Sequence, residues 1–236
     1  AGGGNMRLRL NRSVVGYVLA GVAMLLLLLY LRFPGEALTD YLQAASAARY
    51  PGLLVSIDAI RPSVPAGIRF SNVTVGLAAR PEATLHADRL NIRPGVLPLL
   101  KGRLAFLMTA EGYGGEAKGR VDFSRLFAME GPFQAEADVL NLNAEKCAWL
   151  RDVLGHRITG TLKATAAFSG STGAPKNASG DVEFTLANGS YPLVEGFLGI
   201  DRIDFRRIDG KVALSNGTVK INQLTMTGDR IRGSLK

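Results

Sequence analysis

The chain has 236 residues, of which 47% are apolar, and a formal net charge of +8. A single cysteine excludes an internal disulfide, and with it the class of small domains that disulfides hold together. The basic residues form no stripe with interleaved aromatic residues, so the composition argues against a nucleic-acid-binding protein.

The first apolar segment predicts a membrane anchor. Residues 1–5, AGGGN, precede Met6 and are interpreted as a linker scar or upstream translation, and residues 6–13 as a cytoplasmic N-terminus. Residues 14–31 carry no charge and, as a helix, reach about 27 Å, close to the ~30 Å hydrocarbon core. The run is longer than the ~7–15 apolar residues of a cleaved signal peptide, so we predict an uncleaved transmembrane signal anchor over 14–32.

The charges around this segment predict its orientation. Arg7, Arg9 and Arg12 precede the apolar run, and Arg32 alone follows it closely. The positive-inside rule places the N-terminus in the cytoplasm and the remainder of the chain on the other side. In a bacterium, this is a single-pass inner-membrane protein with a periplasmic domain, which contacts the lipid bilayer through its anchor.

Beyond the anchor, residues 33–50 predict a membrane-exit helix, since their apolar positions follow helical spacing and Pro51-Gly52 ends the pattern. Residues 51–236 carry apolar residues at alternate positions, in runs separated by Pro and Gly, which predicts one periplasmic, mainly β domain. In residues 68–77, IRFSNVTVGL, the apolar positions change phase. This change predicts a β-bulge near Ser71-Asn72.

Residues 157–168, RITGTLKATAAF, are the clearest predicted strand, with one apolar and one polar face. This alternation is typical of an antiparallel sheet that is covered on one side only. Residues 143–155 before it predict a helix, with Asn143 as the N-cap and Gly155 as the C-terminal stop.

Two Asn-Gly pairs predict β-hairpins with two-residue type I′ turns, because both turn positions require a positive φ. The turns are Asn188-Gly189, in LANGSYPL, and Asn216-Gly217, in LSNGTVKI. The predicted cross-strand pairs are Leu186 with Tyr191, Phe184 with Leu193, Leu214 with Val219, and Val212 with Ile221.

These elements predict a curved antiparallel sheet with an apolar face and a few short helices. Two alternatives stay open: the sheet rolls on itself and buries that face, or the face forms a groove or half-barrel for an apolar ligand such as phospholipid. The residues assigned to the apolar face are Ile158, Leu162, Phe168, Phe184, Leu186, Tyr191, Leu193, Val212, Leu214, Val219 and Ile221.

Catalytic, metal and cofactor motifs are weak. GYGGEA (112–117) matches G-x-G-x-x-A, but strands flank it on both sides, so it is interpreted as a hairpin turn rather than a dinucleotide site. His86, His156 and Cys147 have no metal-type partner at ligand spacing. We therefore predict a protein that is not an enzyme, with no catalytic residue, no metal and no cofactor.

The order of several segments resembles the type II secretion system protein N family and the wider AsmA-like group. The segments are FPGEALTDYL, LVSIDAIRPSVPAGIRFSNVTV, ADRLNIRPGVLPLLKGRLAF, GYGGEAKGRVDF and IDGKVALSNGTVKINQLTMTGDRIRGSLK.

The resemblance implies a non-enzymatic inner-membrane component of an assembly that exports folded proteins, with protein partners in that assembly. It also implies an AsmA-like sheet, of the kind that carries lipid in larger relatives, and hence an alternative role in lipid binding or transport. The sequence stops within a predicted strand where further strands are expected, which leaves open a truncated C-terminus and an edge that a partner completes.

Overall fold

The computed structural model describes residues 12–64, 66–125, 128–174, 177–197, 200–228 and 232–235. The helices are α1 Arg12–Leu31, α2 Gly35–Arg49, α3 Val96–Leu100 and α4 Ala148–Leu154, with a 3-10 helix at Ala144–Lys146. The strands are β1 Leu53–Ser63, β2 Gly67–Leu77, β3 Arg80–Pro94, β4 Leu104–Gly112, β5 Gly115–Arg125, β6 Ala128–Asn143, β7 Thr161–Ser171, β8 Ser179–Phe197, β9 Ile200–Ser215, β10 Thr218–Thr227 and β11 Arg232–Leu235.

The strands form one 11-stranded sheet, in which each strand pairs with its neighbours in sequence. Every strand pair is antiparallel. Short connections suffice for this order, because an antiparallel strand can follow its partner through a tight turn. The prediction of a mainly β, antiparallel architecture with few short helices is confirmed.

The predicted anchor segment is helical, because α1 covers Arg12–Leu31. A search of the described residues for a helix with the length and apolar character of a membrane span finds none. Arg12 begins α1 and Arg32 follows it as an exposed residue. The other two predicted flanking residues, Arg7 and Arg9, lie outside the described residues.

The sheet has one apolar face and one polar face. In β6 to β9, Ala137, Ala166, Val182 and Val212 form one row of directly paired residues. The adjacent row, on the opposite face, consists of Asp138, Thr165, Glu183 and Lys211. Since successive side chains of a strand point to opposite faces, the alternation in the sequence becomes a separation of apolar from polar surface across the sheet.

Asparagines with positive φ mark where the apolar positions change phase. Asn72, Asn141 and Asn188 lie inside β2, β6 and β8 with φ of 48°, 55° and 51°. Their short polar side chains tolerate this left-handed conformation better than most residues do. All three lie close to a line of cross-strand pairs that runs from Ser71 in β2 to Leu140 in β6 and, after a register shift at Leu140 and Asn141, from Leu142 to Leu186 in β8. We call this line the asparagine row.

At Asn72 the predicted phase change is present, because both Phe70 and Val73 are buried. The predicted one-residue bulge is wrong, however, since the register between β1 and β2 is the same on both sides of Asn72. Both strands change phase together, and the Asn72 amide donates a hydrogen bond to the Asp58 carboxylate at 2.8 Å.

Helix α2 packs on the apolar face at one side of the sheet. Ile57, Ile60, Phe70 and Val73 are buried there, against partly buried residues that include Phe33, Leu38 and Leu42. The Gln43 amide donates a hydrogen bond to the Ile57 carbonyl at 3.1 Å. The predicted membrane-exit helix therefore also contacts backbone of the edge strand β1, which would otherwise present unpaired groups.

A second buried cluster lies near the other side, where the 3-10 helix and α4 connect β6 to β7. It contains Ala144, Ile158, Leu186 and Phe205, with Leu150, Leu162, Tyr191, Ile208 and Met226 packed against it. The predicted helix over 143–155 is thus present in two pieces. The Asn143 side chain accepts from the Glu145 N–H at the 3-10 helix, and Gly155 ends α4 with a φ of 72°.

Tyr113 links the β4–β5 turn to β3. Its hydroxyl accepts a hydrogen bond from the His86 N–H at 2.6 Å and donates one to the Thr84 carbonyl at 3.3 Å. Burial raises the pKa of the Tyr113 phenol above its ordinary value of 10.0, although the His86 N–H favours the phenolate.

Tyr113→Phe should lower the free energy of unfolding by about 1–3 kcal/mol, because the half-buried His86 N–H loses its acceptor. The raised folded-state pKa makes the contribution of the hydroxyl complete below the unfolded pKa near 10, and this contribution is lost as the pH rises through the folded pKa. Urea denaturation in detergent should show a gap between wild type and variant at about pH 8 that shrinks above about pH 10. A gap of equal size at both pH values would contradict this account.

Candidate functional site on the apolar face of the sheet

The apolar face is covered only in part. Among the described residues, the buried apolar ones are Ile57, Ile60, Phe70, Val73, Ala83, Ala105, Ala144, Cys147, Ile158, Leu186 and Phe205, and no large side chain is fully buried. Most of these belong to the two clusters at the sides of the sheet. In β4 to β9 the apolar face carries residues of intermediate exposure, such as Phe106, Val121, Ala166 and Phe184. We call this uncovered part the open apolar face.

Most of the predicted face residues share this face. Leu162, Phe168, Phe184, Leu186, Val212 and Leu214 are brought together by direct pairing of β7, β8 and β9. Leu162 and Leu186 also belong to the second cluster, together with Ile158 and Tyr191. The Tyr191 ring meets His156 edge to face at 5.6 Å. The side chain of Leu193 lies outside the described residues.

Val219 and Ile221 also lie on this face by their pairing with Leu214 and Val212. They are nevertheless 65% and 56% exposed. Within the described part of the chain, β11 pairs only with Leu224–Thr227 of β10, so nothing covers the outer side of the β10 segment that contains them.

The hairpin at Asn216-Gly217 is confirmed. Both residues have positive φ, 50° and 72°, as a type I′ turn requires. The turn connects β9 to β10 and pairs Leu214 with Val219 and Val212 with Ile221, which is the predicted register.

The predicted hairpin at Asn188-Gly189 is wrong. Both residues lie inside β8, which continues to Phe197, and Leu186 pairs with Leu162 and Ile208 rather than with Tyr191. Asn188 has the positive φ of a turn residue, but Gly189 is not among the positive-φ glycines. The pair therefore changes the phase of a long strand instead of reversing the chain.

Aromatic rings lie over glycines on the open apolar face. Phe168 is paired with Gly180 across β7 and β8, and Phe184 with Gly210 across β8 and β9. A Cβ at either glycine would overlap the ring of its partner. Because these positions have no side chain, the rings can lie flat along the sheet. The apolar face is therefore shallower there.

Gly210→Ala should lower the free energy of unfolding by about 1–3 kcal/mol, because the Phe184 ring must move. Gly52→Ala is the matched control, since a Cβ there meets no atom within 4 Å. If the ring is the cause, Phe184→Leu should reduce the penalty in a double variant, as thermal denaturation can measure. Strictly additive effects would contradict a direct contact.

The opposite face carries ion pairs. Lys211 Nζ lies 2.6 Å from Glu183 Oε1, and Arg207 Nε lies 2.7 Å from Asp209 Oδ2. The Arg207 guanidinium holds the pKa of Asp209 below its usual range, and the Thr185 hydroxyl acts in the same direction against the effect of burial. A cavity of ≈ 460 Å³ adjoins these residues. Because most of its charges are paired with one another, we do not assign a ligand to it.

The described residues contain no group of three His, Cys, Asp or Glu side chains that is arranged to hold a metal ion. Cys147 is buried, while His86 contacts Thr74 and Asp88. The structural feature that stands out is therefore the open apolar face.

Comparisons with protein-family models, with curated proteins and with solved structures give no match for this chain. The function proposed below is therefore based on the arrangement of the chain's own residues.

The sequence patterns did not predict which residues form the two buried clusters. Phe205 is buried in the second cluster, opposite Gly189. Its position could have been found only by treating Asn188 as a phase change inside a strand. Ile57, Ile60, Phe70 and Val73 were in predicted strands, but nothing in their spacing indicated which part of the face α2 covers.

Proposed function

We propose that the protein is a membrane-anchored binding protein whose open apolar face holds acyl chains of phospholipids, with the sheet curving into a groove. The observation that carries this proposal is the continuous apolar surface between the two buried clusters. From β4 to β9 it spans five strand spacings, or roughly 24 Å. This width is greater than the ~15 Å over which acyl chains extend in one leaflet, which is half of the hydrocarbon core.

The character of that surface supports a ligand without directional polar groups. Aliphatic and aromatic side chains dominate it, and charged residues lie on the other face. Contiguous exposed apolar surface on a folded domain marks a site of interaction with a ligand, a protein or a membrane. Glycine-backed rings such as Phe184 leave a shallow floor that linear chains of different lengths can contact.

The anchor is part of the same proposal. Apolar side chains are exposed around α1, among them Tyr17, Met24 and Leu31. A helix that is apolar on every side requires an apolar environment, and residues 14–31 are uncharged over a length close to the bilayer core. We place the N-terminus in the cytoplasm and the sheet in the periplasm of a bacterial inner membrane, on the basis of the flanking arginines.

Native mass spectrometry of the detergent-extracted chain tests the lipid proposal. We expect additional mass from bound phospholipid, and photo-crosslinks from a probe at Leu162, Phe184 or Leu214 to acyl chains. Unloaded protein after extraction in several mild detergents, together with no crosslink in membranes, would overturn it.

Membership of a type II secretion assembly is a second proposal. It is favoured by the resemblance in the sequence and by the β10 segment at Val219 and Ile221, whose outer side no described strand covers. An unpaired strand edge with apolar side chains can bind a partner by strand addition.

Deletion of the gene tests the second proposal. If the protein serves the assembly, secreted proteins should accumulate in the periplasm of the deletion strain, and a plasmid copy should restore their export. Normal secretion in the deletion strain would contradict this role and leave the lipid proposal standing.

A further inference from the structure

The connection between α1 and the sheet places one end of the sheet next to the end of α1, the proposed anchor. Phe33 packs into the first cluster, and a Cβ at Gly35 would meet the Ile60 carbonyl. From there α2 runs back along β1, since Gln43 bonds the Ile57 carbonyl. The four Cα–Cα steps from Leu31 to Gly35 span at most about 14 Å. The end of α1 therefore lies near the last residues of β1, at what we call the basal end of the sheet.

Exposed apolar side chains project from two connections at this basal end. In the β1–β2 turn, Val64 is 79% exposed. In the β3–β4 connection, Leu97 and Leu100 of α3 are 72% and 80% exposed. The two connections are neighbours, because Gly67 at the start of β2 packs against Arg93 near the end of β3. Short turns in water rarely carry so much unprotected apolar surface without a partner.

Basic residues surround these side chains. Arg61, Arg93, Lys101 and Arg103 are all exposed. None of the four forms a salt bridge within the described part of the chain, although Arg103 lies near enough to Asp122 to help lower the pKa of that carboxyl. This contrasts with the middle of the polar face, where Lys211 and Arg207 are neutralised by carboxylates. Between α3 and the sheet lies a cavity of ≈ 540 Å³, lined by Leu97, Lys101, Arg103 and others.

We infer that the basal end of the sheet, through α3 and the β1–β2 turn, inserts into the surface of the membrane that holds α1. The apolar side chains enter the acyl boundary, and the four basic residues bind anionic phospholipid headgroups. This inference rests on the proposed anchoring of α1. Its consequence is that the open apolar face begins at the lipid surface, so that an acyl chain can pass from the bilayer onto the sheet.

Intrinsic fluorescence can test this insertion, because the chain has a single tryptophan. The full chain carrying Leu97→Trp and Trp149→Phe is placed in lipid nanodiscs of brominated phosphatidylcholine with or without phosphatidylglycerol. Bromine quenches tryptophan at short range, so we expect strong quenching with the anionic lipid. The matched control is Leu54→Trp with Trp149→Phe, since Leu54 is also a leucine and is 51% exposed but lies at the opposite end of β1. Equal quenching of both tryptophans would overturn the inference.

Charge reversal gives a second measurement. In the double variant Lys101→Glu and Arg103→Glu, the affinity of the basal end for the anionic lipid should fall about fivefold for each basic residue removed, which corresponds to ~1 kcal/mol. The increase in quenching that phosphatidylglycerol causes should therefore be smaller than in the unreversed chain. Lys163→Glu is the control, because Lys163 is an exposed lysine on the middle of the polar face. An equal effect of Lys163→Glu would contradict binding at the basal end.

Gel filtration with the nanodiscs distinguishes a failure of the basal insertion from a failure of the anchoring by α1. If the chain stays with the nanodisc in gel filtration but Leu97→Trp is not quenched, the anchor stands and the basal insertion is wrong. If the chain elutes without lipid, the proposed anchoring fails, and the inference fails with it.

Discussion

Ala166→Glu should abolish the binding of phospholipid while the chain stays folded. Ala166 lies in the row of paired residues with Ala137, Val182 and Val212, in the middle of the open apolar face. A carboxylate among acyl chains costs several kcal/mol, and about 3 kcal/mol corresponds to a loss of more than a hundredfold in affinity. Because Ala166 is partly exposed in the described part of the chain, the new side chain can reach water in the unliganded protein.

The neighbouring residue provides the control for this prediction. Thr165→Glu introduces the same charge one residue away, on the polar face between Asp138 and Glu183. Native mass spectrometry should find lipid on the Thr165 variant and none on the Ala166 variant, with the same circular dichroism for both. If Ala166→Glu unfolds the protein, the face is a closed core, and the proposed lipid site is wrong.

Phe205→Ala should have the largest effect on stability, about 3–5 kcal/mol, which is the usual cost of removing a buried aromatic ring. Phe205 is 4% exposed and packs with Leu186, Ile158 and Ala144. Gly189 faces it across the strand pair without a side chain that could move into the space. The cavity should therefore persist rather than collapse.

Chemical denaturation in detergent measures this effect, with Ile221→Ala as the control. Ile221 is exposed and should change the midpoint little, although it belongs to the same apolar face. Lipid binding by a Phe205→Leu variant, which keeps most of the volume, should be unaffected. A Phe205→Ala variant as stable as wild type would show that the second cluster contributes little to the fold.

Patterns of neighbouring residues can specify the two faces of a strand and the register of a tight turn. Alternation over residues 157–168 predicted both faces of β7, because the side-chain period of a strand is two and a one-residue slip would expose the whole apolar set. The predicted start was wrong, since β7 begins at Thr161. The Asn216-Gly217 turn likewise predicted its own register, since the conformation of a two-residue turn determines which residues pair.

For the Asn188-Gly189 pair, neighbouring residues alone could not distinguish a turn from a phase change inside a strand. An asparagine with positive φ is compatible with a type I′ turn and with a phase change inside a strand, and the local residues are the same in both cases. The difference lies in distant partners: Thr159 donates its N–H to the Ser190 carbonyl, and Phe205 pairs with Gly189. No spacing near residue 188 contains that information.

The covering of the apolar face was not predictable for a similar reason. Which part α2 and α4 protect is determined by contacts between residues that are far apart, such as Leu42 with the first cluster and Leu150 with the second. The sequence therefore left a closed core and a groove as open alternatives. Among the described residues, the middle of the face carries no large buried side chain, which supports the proposed groove.

The asparagine row has a consequence for how this protein can change over evolution. Each buried cluster takes residues from both sides of the row, Ile57 and Ile60 in the first and Leu186 and Phe205 in the second. The clusters thus hold the two parts of the sheet together at its flanks, while the open apolar face between them is not required for that purpose. If the proposed lipid binding is correct, substitutions on this face that displace no neighbouring ring could change the ligand at little cost in stability, so specificity and folding could be selected separately.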